Sequence, residues 1–318
     1  MPWRYPKVCR HAQILRMFET ESRSQMLPRE VLQKVRRIEI ITRRKVTDVL
    51  AGEYHSIFKG RGMEFSEVRE YQLGDDIRTI DWNVTSRTGT LHVKKFVEER
   101  ELTVLLMLDA SGSADFGTES RFKREVAAEM GALLAFSAIK NNDRVGAIVF
   151  TEDVEMFIPP RKGRPHVLRV IRDLLYFEPK GRKTDLGLAA EYLNRITRKS
   201  AVVFLLSDFI STGFEKPLRV AAKKHDLIAV RLSDPREQEI PSVGLVELED
   251  AETGERLLLD TSDRQSMSVF SERARKRSER QRELLTSMGV DMIEVTTGVP
   301  YDKALQRFFT MRARRLRH

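Results

Sequence analysis

Val104-Leu105-Leu106-Met107-Leu108-Asp109-Ala110-Ser111-Gly112-Ser113 runs from an unbroken apolar stretch into one carboxylate and two hydroxyls spaced two residues apart. A continuous Val/Leu/Met run bounded by turn residues suits a strand buried on both faces of a parallel sheet, and such sheets bind ligands where the strands' carboxyl ends meet the loops. The oxygens of Asp109, Ser111 and Ser113 are therefore expected at the rim of an α/β core.

Two distant segments repeat or complete this pattern. Ala201-Val202-Val203-Phe204-Leu205-Leu206 is a second buried-type strand, and it ends in Ser207-Asp208. Between the two lies Gly181-Arg182-Lys183-Thr184-Asp185, a glycine-led loop that presents a threonine hydroxyl just before a helical segment. Asp109, Ser111, Ser113, Thr184 and Asp208 are all hard oxygen donors, which suit Mg²⁺ or Mn²⁺ and not a soft metal. Magnesium takes about six oxygens near 2.1 Å, so five side chains leave a position for an outside ligand. A carboxylate from another protein would gain roughly a few kcal/mol there at an effective dielectric near 20. Asp185 is placed to act as an outer acid that orients Thr184. The competing account is that the serines and Asp208 cap helices; it explains each residue singly but not their co-arrival at two strand ends.

The remaining pattern alternates strand and helix, which implies parallel strands with covering helices. Strands are expected at 103–108, 144–150, 154–158, 201–206, 227–232 and 290–295, and helices at 121–140, 165–176, 186–197, 214–224 and 301–312. A hairpin is expected over 243–260, followed by a long basic helix. Upstream, residues 28–50 carry apolar side chains at helical spacing, and 53–100, broken by Gly60, Gly62, Gly74 and Gly89, read as turns and short strands. The chain therefore divides into a poorly ordered tail (1–26), a helix with a small β-rich unit (27–100) and an α/β domain (101–318). In the small unit Asp75, Asp76, Arg78, Asp81 and Trp82 form a dense polar cluster, in which Arg78 is expected to pair with an acid and Trp82 to anchor the unit. A second contact surface is the sharper account of that cluster.

The sequence Asp109-x-Ser111-x-Ser113, then Thr184, then Asp208, resembles the metal-ion-dependent adhesion site of von Willebrand factor A-type domains. More narrowly, Gly60-Arg61-Gly62-Met63-Glu64-Phe65, Val68-Arg69-Glu70-Tyr71, Gly74-Asp75-Asp76-Ile77-Arg78 and Ile80-Asp81-Trp82 resemble the bacterial family known as domain of unknown function 58. The resemblance implies a doubly wound, mostly parallel sheet with helices on both faces, and a metal held by those five residues. Members of that family typically accompany MoxR-type AAA+ ATPases in the assembly or maturation of other protein complexes. It therefore implies a chaperone-like adaptor, not an enzyme, whose partners are such an ATPase and a client with an exposed Asp or Glu.

Bulk composition narrows the alternatives. The chain has 318 residues, 41% of them hydrophobic, enough for one sizeable α/β core with an appendage. Its single cysteine, Cys9, permits no intramolecular disulfide, and no apolar run reaches spanning length, so a cytoplasmic protein without a membrane span is expected. A net charge of +9 raises nucleic acid as a partner. Yet Glu272, Glu279 and Glu283 interleave with Arg273, Arg275, Lys276, Arg277, Arg280 and Arg282, which reads as a solvated face with local ion pairs and makes nucleic acid an unlikely ligand. An RNA-binding protein and a magnesium-dependent phosphoester hydrolase remain as alternatives. The six histidines show no i, i+4 pair, which argues against zinc.

Overall fold

The structure is a computed structural model that describes residues 3–4, 54, 57, 63–98, 101–117 and 122–315. Residues 58–102 form one unit, and the remaining residues form the other. The expected tail, apart from a two-residue strand β1 (Trp3–Arg4), and the expected helix over 28–50 lie outside the described residues.

In the unit 58–102, β2 (Met63–Glu70) pairs antiparallel with β3 (His92–Glu98), with a register shift between Phe65 and Glu67. The connection holds a helix that the glycine spacing conceals, α1 (Trp82–Thr88). Asp81 caps it by accepting from the Asn83 and Val84 N–H groups at 3.0 and 3.3 Å, and Gly89 ends it in the left-handed region at φ 76°. Arg78 pairs with Asp76 as expected, at 3.9 Å and in solvent, and the firmer ion pair is that of Arg69, which grips Asp75 through both nitrogens at 2.8 and 2.7 Å. Trp82 is 65% exposed and does not anchor the unit, because the capping bonds fix the helix start without it.

The larger unit is built on a six-stranded sheet. Its strands are β4 (Thr103–Asp109), β5 (Arg144–Phe150), β6 (Val154–Arg161), β7 (Val202–Ser207), β8 (Asp226–Ser233) and β11 (Asp291–Thr296). The order across the sheet is β6-β5-β4-β7-β8-β11, parallel except for β6. Counted from β4, this is 3-2-1-4-5-6, the doubly wound order whose direction of winding reverses between the first and fourth strands. Here those strands are β4, which ends in Asp109, and β7, which Asp208 follows directly.

Both faces of β4 are covered, which is why its sequence does not alternate. Leu105 and Met107 join a core with Leu186, Leu193, Leu218 and Leu285, contributed by α4 (Leu186–Ile196), α5 (Glu215–Lys224) and α6 (Arg264–Ser287). The opposite face carries α2 (Lys123–Lys140), α3 (Arg164–Leu175) and α7 (Tyr301–Arg315), with Met130, Leu134, Ile171 and Phe309 buried. The hairpin β9 (Leu245–Asp250) and β10 (Arg256–Asp260) forms a separate sheet, with β1 on the free edge of β9. On the basic helix α6, Lys276 pairs with Glu272 at 2.7 Å and Arg275 with Glu279 at 3.0 Å, as the interleaved charges predict.

Candidate metal centre

The carboxyl ends of β4 and β7 lie side by side, with Leu108 opposite Leu206 in parallel register. The next residues on each strand therefore meet: Ser207 Oγ donates to Asp109 Oδ2 at 2.6 Å, and the Ser111 N–H donates to Oδ1 at 3.0 Å. Asp109, Ser111 and Ser113 are 3%, 1% and 2% exposed, so none of these oxygens is dissolved in bulk water. Ser111 heads a short 3₁₀ turn but makes no side-chain cap. Its Oγ instead faces Ser113 Oγ at 3.0 Å, which removes helix capping as the reason for this serine.

Asp208 is seated by different means. Its Oδ2 accepts from Lys123 Nζ at 3.2 Å and its Oδ1 accepts from the Ile210 N–H at 3.2 Å. Lys123 begins α2, is 1% exposed, and bridges to Glu237 on the far side. Burial pushes the Asp208 carboxyl up, but the Lys123 ammonium and these hydrogen bonds outweigh it and hold the carboxyl below its ordinary range. Asp109 has no such cation. Burial, and then the charge of Asp208, push it up to about 7 against the hydrogen bonds of Ser207 and Ser111. After Asp208 the chain turns through Phe209 at φ 57°, a left-handed conformation that costs a bulky residue of order 1 kcal/mol or more. Gln281 of α6 secures that turn by donating to the Phe209 carbonyl at 2.7 Å.

Thr184 arrives on a loop pinned from the β5–β6 hairpin. Glu155 accepts from the Lys180 and Gly181 N–H groups at 2.8 and 2.9 Å, and Glu152 accepts from the Lys183 N–H at 2.8 Å. Gly181 leads this loop because a Cβ there would stand 2.4 Å from Thr151 Oγ1 and Glu152 Oε2. The loop is tied to the serine loop by the Gly112 N–H, which donates to the Arg182 carbonyl at 2.8 Å. Thr184 Oγ1 itself donates to Glu252 Oε1 at 2.9 Å, and the Glu252 carboxyl is pushed up by burial and by the charges of Asp208 and Asp250. Asp185 serves as the N-cap of α4, accepting from the Leu188 N–H at 2.8 Å; it does not orient Thr184 as expected.

Hydrogen bonds thus tie together the segments that carry the five sequence-derived residues: Asp109 to Ser111, Ser111 to Ser113, Ser207 beside Asp208 to Asp109, Ser211 to the Thr184 carbonyl at 3.2 Å, and Gly112 to the Arg182 carbonyl. Sequence reasoning missed Ser207, Lys123 and Glu252. Ser207 sat in plain view beside Asp208, whereas Lys123 is one of 56 basic residues and Glu252 sits in what reads as a hairpin turn.

The donor set fits a hard divalent cation. Oxygens about 2.1 Å from an octahedral magnesium stand about 3.0 Å apart along each edge, and the Ser111 and Ser113 hydroxyls already have that separation. Among the described residues no group of three His, Cys, Asp or Glu side chains is poised to hold a metal, which leaves hydroxyls as necessary partners of the acids in any cation site here.

The fold and this rim of oxygens define a von Willebrand factor A-like α/β domain with the winding reversal at its candidate cation site. Residues 67–280 match the family described as "Protein of unknown function DUF58", and the chain belongs to that family. An uncharacterised Mycobacterium tuberculosis protein, Rv1480, is 36% identical over 223 residues, covering 69% of this chain and 70% of its own. Among solved structures, BatB from Bacteroides thetaiotaomicron is 17% identical with a TM-score of 0.42, over 67% of this chain and 99% of that one. Proximal thread matrix protein 1 from the mussel byssus, whose metal-ion-dependent adhesion motif is occupied by zinc, is 12% identical with a TM-score of 0.33, over 42% of this chain and 38% of that one.

Proposed function

We propose that this protein is a non-enzymatic adaptor that grips an acidic side chain of a protein partner through Mg²⁺ or Mn²⁺ held by Asp109, Ser111, Ser113, Thr184 and Asp208. Family membership supports a role beside a MoxR-type AAA+ ATPase, with the adaptor presenting a client during assembly or maturation of a protein complex. Among the described residues no helix is long and apolar enough to cross a membrane, and action in the cytoplasm is part of the same proposal. What supports it is that Asp109, Ser111 and Ser113 hydrogen-bond in series at the switch point of the sheet, and that the segments carrying Asp208 and Thr184 are tied to that loop and to each other by the Ser207, Ser211 and Gly112 hydrogen bonds.

A bound cation supplies an electrophilic position for a carboxylate oxygen. The protein's residues set how strongly that position attracts. Asp109 and Asp208 give two negative charges, but the Lys123 ammonium cancels much of the second, so the site stays short of the charge needed to neutralise a divalent ion. Ser111, Ser113 and Thr184 coordinate without adding charge. A partner's Asp or Glu then gains from the residual positive field in a largely water-excluded cleft.

Affinity purification with magnesium and with chelator tests the reading. Capture of a MoxR-type ATPase or a client should require the metal and vanish in Asp109→Ala. Unchanged capture by that variant would defeat it, and magnesium-stimulated phosphoester turnover that is lost in Asp208→Asn would favour a hydrolase.

A further inference from the structure

The hairpin β9–β10 and the first half of α6 enclose an open groove of about 710 Å³, a volume that takes a ligand or a few anchoring side chains. In antiparallel register Leu248 lies opposite Leu257, so these two and Leu259 share one face of the hairpin, and that face lines the groove together with Val269 and Phe270 of α6. Leu257 and Val269 are 44% and 42% exposed, so the apolar lining is open to solvent. About one and two turns beyond Val269, Arg273 and Arg277 line the same groove, joined by Arg236. Their guanidinium groups make no ion pair or hydrogen bond among the described residues, whereas Arg275, Lys276 and Arg282 of the same helix each have a carboxylate. The two acids of the lining are engaged elsewhere: Asp263 accepts from the Gln265 and Ser266 N–H groups at 3.1 and 3.2 Å, and Glu237 pairs with Lys123.

A groove with an apolar stretch followed by a cationic one, and no acid to satisfy its arginines, is complementary to a chain that carries both hydrocarbon and carboxylate. β10 is the last strand of its sheet, and among the described residues no strand pairs with its outer edge, so the backbone groups there are open to hydrogen-bond another backbone. That edge favours a peptide over a fatty acid or a nucleic acid, which have no strand to offer. We infer that this groove docks an extended acidic segment of a partner protein. The segment adds a strand beside β10, sets alternate apolar side chains against Leu257, Leu259 and Val269, and brings Asp or Glu side chains to Arg236, Arg273 and Arg277. It is held without any metal, so this surface is independent of the cation site.

The test uses the full chain and a pooled library of octapeptides with Val, Ile, Leu or Phe at alternate positions and Asp or Glu between them, the tightest binder then being measured by fluorescence anisotropy. Reversing both helix charges together, Arg273→Glu with Arg277→Glu, should weaken binding about 10-fold or more, and Leu257→Lys should do the same from the apolar side. None of these three side chains is buried, so the variants keep the fold. Lys276→Glu, on the same helix but outside the groove, should change the affinity by less than about 2-fold. Methylating alternate peptide nitrogens should abolish binding for the set that faces β10 and spare the other set. Chelator should have no effect. Failure of every library member to bind saturably, or equal weakening by Lys276→Glu, would overturn the inference. So would loss of binding in chelator, which would put the acids on the cation site instead, or tighter arginine-dependent binding of dodecanoate or of oligouridine RNA.

Discussion

The two halves of the candidate site are held in opposite ways. On the β4 side, Asp109, Ser111 and Ser113 are positioned by a neighbouring hydroxyl, a backbone N–H and one another, all within hydrogen-bond reach of the same strand ends. On the β7 side, Asp208 is held by Lys123 and Thr184 by Glu252, charged residues that come from distant segments. Such hydrogen bonds are worth about 1 kcal/mol net between neutral groups and about 1.5–3 kcal/mol to a carboxylate, whereas a buried charge left without its partner costs several. The β4 half is thus a rigid cradle that tolerates small losses, and the β7 half is a balance of charges that a single substitution tips.

Lys123→Met should show this difference most strongly. The buried Asp208 and the partly buried Glu237 lose their cation, so metal-free stability in urea unfolding should fall by about 3–5 kcal/mol. Magnesium should then restore more stability to this variant than to the wild type. A loss below about 1 kcal/mol would erase the contrast between the halves.

Acid should also act on the β7 side, at the opposite end of the strand. His225 Nδ1 accepts from the Ala201 N–H at 3.3 Å, and burial, then the neighbouring Lys224 charge, lower its pKa from 6.5 to about 4. Because the folded protein binds this proton less well than the unfolded chain, the stability it contributes is full above pH 6.5 and is lost as pH falls toward 4. The loss amounts to about 3 kcal/mol. Urea unfolding across that range should show the slope, and His225→Gln should flatten it.

Glu155→Ala removes the acceptor of two backbone N–H groups in the threonine loop. It should cost about 2 kcal/mol and weaken magnesium binding about 10-fold or more by calorimetry, because Thr184 loses its support. The smallest effect on stability belongs to the β4 half: Ser111→Ala should cost only about 1 kcal/mol in the metal-free protein while still removing a proposed ligand. If Ser111→Ala unfolds the domain, the rigid-cradle view fails.

What could be read from the chain follows the same division. The β4 half is local in sequence, so an apolar strand ending in Asp109, Ser111 and Ser113 is visible in ten consecutive residues, and strand–helix alternation gives the doubly wound sheet. Asp208 and Thr184 were accessible because a second strand end and a glycine-led loop announce them. Lys123 and Glu252 were not, since nothing local distinguishes a lysine that enters the core from the many that stay in solvent, or an acid in a hairpin turn that folds back onto a site. Trp82 misled for a related reason. A large aromatic usually anchors a small unit, but here the Asp81 cap and the Arg69–Asp75 pair order the segment and leave the indole exposed.

Calorimetric titration of the metal-free protein with Mn²⁺ tests most directly whether these side chains hold one divalent cation. One equivalent should bind to the wild type, with uptake abolished in Asp109→Ala and in Asp208→Ala although both variants remain folded. Binding that persists in both variants, or no binding to the wild type, would contradict the account.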